Sequence, residues 1–121
     1  MKYIFTLITL SLFTSSNMEK IYTFLPQSNI QQWRIVNDGV MGGRSKSSLV
    51  LSKEGYGQFS GHVSLANYGG FASMQLNTAV KLSKEKKFIV LRVKGDGKRY
   101  EFRLKGEASQ PESYVHQFST S

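Results

Sequence analysis

Apolar and polar residues alternate along most of this chain after Ile21, and turn residues break the alternation at short intervals. A two-residue period marks half-buried strands, whereas an amphipathic helix repeats every three to four residues. The pattern predicts strands at Ile21–Leu25, Ser47–Ser52, Gln58–Leu65, Phe71–Leu76, Phe88–Lys94, Lys98–Lys105 and Ser113–Ser119. Gln27–Gln32 suits a short helical turn, and Pro26 stops the first strand because proline offers no N–H to a ladder. K-E-G-Y-G after Ser52 joins two strands, Asn67-Tyr68-Gly69-Gly70 leads into the next, and Gly106–Ser113 with Pro111 is a loop. The expected class is all-β, a sandwich or barrel.

Turn chemistry and face pattern agree best at Gly95-Asp96-Gly97. A two-residue primed turn there would set Val93 opposite Tyr100, Leu91 opposite Phe102 and Ile89 opposite Leu104, with all six on one face. Arg92 would meet Glu101 on the other face. Trp33–Leu49 is different: W-R-I-V-N-D-G-V-M-G-G-R-S-K-S-S-L shows no period and concentrates an Asn-Asp-Gly signal, further glycines and the sole Trp. Its backbone is expected to be demanding.

The N-terminus reads separately. Lys2, the uncharged apolar run Tyr3–Phe13 and the small residues Thr14-Ser15-Ser16 have the layout of a signal peptide, assigned to residues 1–16, with the mature domain at 17–121. The run is shorter than the roughly 20 residues that span a bilayer. A buried N-terminal strand is the other reading of the same residues. The expected location is periplasmic or extracellular, the alternative being membrane association through an uncleaved segment. No other stretch could span a membrane. The absence of cysteine excludes a disulfide framework, thiolate metal ligands and a Cys nucleophile.

Formal net charge is +8, which raises the question of polyanion binding. The basic residues cluster at Lys81, Lys84, Lys86 and Lys87 or alternate with apolar ones along strands. That is a solvated connection and an outward sheet face, so no specific nucleic acid is expected. Catalytic constellations are equally thin. His62 and His116 sit in alternating strands, and no G-x-S-x-G elbow occurs. Asp38 and Asp96, the two aspartates, each precede a glycine as turn chemistry demands. An acid pair or a share in a calcium site is the functional alternative, though calcium takes six or more oxygen ligands. V-M-G-G-R-S fits neither the P-loop spacing nor the dinucleotide fingerprint. Trp33 could stack on a sugar but is expected to anchor the core.

Four segments in order carry a resemblance: the Trp33–Leu49 stretch, G-Q-F-S-G-H-V-S-L-A-N-Y-G-G-F-A-S, L-R-V-K-G-D-G-K-R-Y-E-F-R-L and S-Y-V-H-Q-F-S-T. Together they resemble the CIA30 family, the complex I intermediate-associated protein 30 domains of mitochondrial assembly factors and many bacterial proteins. The family's D-G-V-M-G-G-x-S corresponds to Asp38–Ser45. Its N-G-G-F-A matches Asn67, Gly69, Gly70, Phe71 and Ala72 with Tyr68 inserted, and its G-D-G-x-x-Y matches Gly95, Asp96, Gly97 and Tyr100.

The resemblance implies a galactose-binding-domain-like jelly-roll β-sandwich. It also implies a non-enzymatic, chaperone-type assembly role, linked in mitochondrial members to respiratory complex I. Family domains continue past the last strand seen here, so the expected sandwich is incomplete at its C-terminus and has open edges. Candidate binding residues are Trp33, Asn37, Asp38, Met41, Arg44, Ser45, Asp96, Arg99 and Tyr100. Gly39, Gly42, Gly43, Gly69, Gly70, Phe71, Gly95 and Gly97 are expected to shape the backbone. No catalytic residue, metal ligand or cofactor is expected. The expected partner is a protein, with a glycan as the alternative ligand of an exported carbohydrate-binding module that would use Trp33, Tyr68 and Tyr100. Asp38 is expected to hold backbone N–H groups of the V-M-G-G turn.

Overall fold

Among the described residues, six strands, all paired antiparallel, account for the regular structure together with three short 3₁₀ turns. The structure is a computed structural model and describes residues 18–81, 83–85, 87–106 and 113–121. The expected signal segment and most of the expected Gly106–Ser113 loop lie outside the described residues. The all-β class read from the period-two pattern is borne out. The chain divides into two units between Lys81 and Leu82.

In the first unit β1 (Trp33–Asn37) pairs with β4 (Ala72–Leu76), and β2 (Lys46–Leu51) pairs with β3 (Gly57–His62). β2 and β3 form the expected hairpin, closed where Ser52 and Tyr56 exchange bonds around Gly55, whose φ is 89°. β1 lies within the stretch read as non-periodic. Trp33, Ile35 and Asn37 face Leu76, Met74 and Ala72 across the ladder, while exposed Arg34 bonds Gln75 at 3.1 Å.

Ile21–Leu25, expected as a strand, joins no ladder. Its alternation instead delivers Tyr22 and Phe24 to one side. Both rings pack on Trp33, Tyr22 edge-on at 5.2 Å and Phe24 stacked at 5.6 Å. The two-residue period was real, but it marked a packed face rather than a hydrogen-bonded strand. Trp33 is thus the half-buried core anchor expected, and among the described residues its buried Nε1 has no hydrogen-bond partner. Gly57 lets Phe24 in, since a Cβ there would lie 2.6 Å from the ring. β3 ends at His62, short of the expected Leu65, because Ser64 gives its N–H to Ser45 Oγ at 2.9 Å.

The second unit holds β5 (Arg99–Lys105) and β6 (Ser113–Ser119). Tyr100, Phe102 and Leu104 sit opposite Phe118, His116 and Tyr114, with Tyr100 stacked on Phe118 at 6.1 Å. The expected hairpin of Phe88–Lys94 with Lys98–Lys105 does not form. A type I′ turn needs positive φ at both central residues, and here only Gly97 has it, at 86°. Asp96 instead accepts from the Lys98 N–H at 3.2 Å and the Tyr100 hydroxyl at 2.7 Å. Thr120 bonds both Gly97 and Lys98 and so extends the β5–β6 ladder past its last pair. Glu101 consequently pairs with Arg103 and Gln117 rather than with Arg92.

The aromatic cluster sets a first prediction. Gly57→Ala should push Phe24 off Trp33, lower stability by about 1–3 kcal/mol and red-shift the emission of the sole Trp. Urea unfolding followed by fluorescence measures both.

Candidate functional site

Asp38 opens the 3₁₀ turn Asp38–Met41 at the end of β1 and has no solvent-accessible surface. A buried carboxylate is tolerable only when hydrogen-bond donors replace its lost water. Four bonds do so. Oδ1 accepts from the Ser45 N–H at 2.8 Å, and Oδ2 accepts from the Ser45 hydroxyl at 2.5 Å, the Gly70 N–H at 2.6 Å and, weakly, the Phe71 N–H at 3.4 Å. The backbone completes the knot: Asp38 N–H donates to the Phe71 carbonyl at 3.1 Å, and Gly43 N–H donates to the Asp38 carbonyl at 2.9 Å.

This differs from the expected role in one respect. The V-M-G-G turn is held by Asp38's backbone carbonyl, with Gly42 and Gly43 as donors. The carboxylate reaches past that turn to Ser45 and across to the second motif, N-Y-G-G-F. Burial alone would raise its pKa. The Ser45 hydroxyl, then the Gly70, Ser45 and Phe71 amides, hold it below the usual carboxylate value.

The glycines make room for this carboxylate. A Cβ on Gly43 would overlap the Asp38 carboxyl carbon, and one on Gly69 would overlap Oδ2. Gly42 at φ 88° and Gly70 at φ 135° supply conformations that other residues rarely adopt. Gly39, in contrast, has open space around it.

Neighbouring candidates divide into a tied set and a displayed set. Asn37 Oδ1 accepts from Ser47 Oγ at 2.6 Å, fixing the end of β1 to β2. Ser45 is buried, donating to Asp38 and accepting from Ser64. Arg44 and Met41 point to solvent, Met41 at 63% exposure and its neighbour Val40 at 76%. Leu65, just before the second motif, is 80% exposed, and Tyr68 within it is 99% exposed. Asn67 and Tyr68 are both left-handed, with φ of 56° and 60°. For a tyrosine that conformation costs roughly 1–2 kcal/mol. The tyrosine inserted into the family motif is therefore held in a strained turn and presented to water.

Asp96, Arg99 and Tyr100 belong to the second unit and are not part of the Asp38 knot. The Tyr100 hydroxyl, ahead of Lys98, holds the Asp96 carboxyl below its ordinary value, and Asp96 in turn raises the Tyr100 phenol. Gly95 lets the side chain of Thr120 pass against the backbone. Arg99 is exposed at the start of β5. Among the described residues no cluster of three or more His, Asp or Glu could hold a metal, and no helix is long and apolar enough to cross a membrane.

Val40, Leu65 and Ser64 were absent from the expected site. The first two are large apolar residues inside turn segments, where polar residues are the rule, and that misplacement was the available signal. Ser64 contributes through its backbone, which the sequence pattern does not mark.

Two Gly-rich motifs of an all-β protein thus converge on one buried aspartate. The model of the complex I intermediate-associated protein 30 (CIA30) family matches residues 22–121, and the chain belongs to that family. No curated protein and no solved structure matches it.

Two measurements test the knot. Ser45→Ala leaves the Ser64 N–H and one Asp38 oxygen short of a partner and should lower stability by about 1–3 kcal/mol. Because the folded carboxyl sits below its ordinary value of 3.8, its stabilisation is complete above that pH and is lost as pH falls through the lower folded value. Asp38→Asn should therefore be less stable at neutral pH and should show a flatter loss of stability below pH ~4. Denaturant midpoints taken across acid pH measure the difference.

Proposed function

We propose that this chain is a non-enzymatic protein-binding module of the assembly-factor type. The family to which it belongs is linked to complex I assembly. The observation that carries the reading is the display of Val40, Met41, Leu65 and Tyr68 on two turns tied to one buried carboxylate. Exposed apolar side chains on a rigid, strained support suit recognition of another protein, because little further ordering is needed on binding. The arrangement holds a carboxylate away from solvent rather than offering it as a base or nucleophile. That also supports a binding role.

The partner on this reading is a protein with an apolar recess that takes Tyr68, met outside the cytoplasm. The charged start and apolar run of the first 16 residues support export. A glycan platform built from Trp33, Tyr68 and Tyr100 finds less support, since the Trp33 ring is packed between Tyr22 and Phe24.

Co-purification of the tagged chain from its native host tests this. A reproducible protein partner is expected, reduced at least tenfold by Tyr68→Ala with thermal stability kept. Capture unaffected by Tyr68→Ala, or binding on a glycan array instead of protein capture, would contradict the reading.

A further inference from the structure

The chain holds two Asp-Gly steps, Asp38-Gly39 and Asp96-Gly97, and they lie in opposite surroundings. At such a step the glycine nitrogen attacks the aspartate carboxyl most readily, because glycine puts no side chain in the way. The glycine half is alike in both: a Cβ on Gly39 or on Gly97 would meet nothing within 4 Å. A difference in reactivity therefore lies with the carboxyl group.

At Asp38 that group is out of solvent and both oxygens are occupied. Oδ1 accepts from the Ser45 N–H, and Oδ2 accepts from the Ser45 hydroxyl and the Gly70 N–H. To meet the Gly39 nitrogen the carboxyl must leave these donors, so the reaction waits for the site to open. At Asp96 the side chain is 52% exposed. Its Oδ1 accepts from the Lys98 N–H at 3.2 Å and from the Tyr100 hydroxyl at 2.7 Å, and Oδ2 lies 3.9 Å from the exposed Lys98 ammonium. The bond to the amide two residues on folds the carboxyl back over the Gly97 peptide, whose nitrogen is the attacking atom. The Gly97 N–H donates to the Thr120 hydroxyl at 3.1 Å, an exposed bond that water replaces at small cost.

We propose that Asp96-Gly97 is a site of spontaneous isomerisation to isoaspartate in the folded protein, and that the Asp38 knot shields Asp38-Gly39 from the same reaction. The Gly97 nitrogen gives its proton to water and bonds to Asp96 Cγ. A Cγ–O bond breaks, that oxygen leaves as water, and a succinimide ring closes. A second water then adds to one of the two ring carbonyl carbons. Addition at Cγ breaks the new bond to nitrogen and restores aspartate. Addition at the main-chain carbonyl carbon breaks the original peptide bond to Gly97 and leaves the chain running through Cβ and Cγ. Water is the co-reactant, and nothing is oxidised or reduced. The product has a longer backbone and carries its carboxylate on the former main-chain carbon, which undoes the bonds Asp96 makes to Lys98 and Tyr100 at the start of β5. The inference is independent of the protein-binding reading.

The test incubates the full chain in heavy-oxygen water, then maps label uptake and isoaspartate at each step by digestion and mass spectrometry. In the folded chain the Asp96 peptide should gain both at least about tenfold faster than the Asp38 peptide, and in denaturing urea the two rates should converge. In urea below the unfolding transition the Asp96 rate should stay flat, while the Asp38 rate climbs with the open population. Asp96→Glu keeps the carboxylate but would need a larger, slower-closing ring, so label uptake at that step should cease. Equal rates at the two steps in the folded chain would overturn the proposal. An Asp96 rate that climbs with urea in parallel with Asp38, or isoaspartate formed without label uptake, would also overturn it.

Discussion

The geometry of the first unit depends on one buried carboxylate. Asp38 is out of contact with water, and the donors that replace its solvation come from two separate sequence motifs. A charged group in that position enforces its surroundings, because any loop arrangement that withdraws a donor leaves an ion buried without compensation. The hydrophobic contribution is modest by comparison. Among the described residues no apolar side chain is fully buried, and the aromatic cluster around Trp33 is only half covered. Polar geometry therefore fixes what apolar packing leaves loose.

That constraint explains the motif glycines by position. Gly43 and Gly69 are small because the carboxyl group occupies the space a side chain would fill. Gly42 and Gly70 are needed for their left-handed backbones. It also explains how the chain keeps Tyr68 in a strained conformation: the amides of Gly70 and Phe71, two and three residues on, are anchored to Asp38. Strain of this kind persists where the surroundings over-determine the backbone, and such places are often where a protein meets something else.

Much of this was legible in the sequence, with instructive exceptions. β2, β3, β4, β5 and β6 fall where alternation and turn residues placed them, to within a few residues at the ends. Alternation failed as a guide to pairing in Ile21–Leu25 and Phe88–Lys94. A period of two reports which side chains share a face, and says nothing about whether a neighbouring strand is there to bond. The Asp96-Gly97 turn misled for a local reason, since Asp96 found side-chain and backbone donors without entering the left-handed region. β1 was missed because the unusual residues after Asn37 hid an ordinary alternation before it. In the site itself, Asp38, Ser45 and the glycines were legible as a motif. Their convergence with Gly70 was not, because it is a contact between segments far apart along the chain.

The account stands or falls on whether a single carboxylate holds both motifs. An amide proton bonded to a carboxylate shifts when that carboxylate is protonated, so NMR titration of the Ser45 and Gly70 amides reads the connection directly. The account predicts that both amides shift together with one midpoint below 3.8, and that Asp38→Asn abolishes both transitions. Separate midpoints, a shift confined to Ser45, or transitions that survive in Asp38→Asn would contradict it.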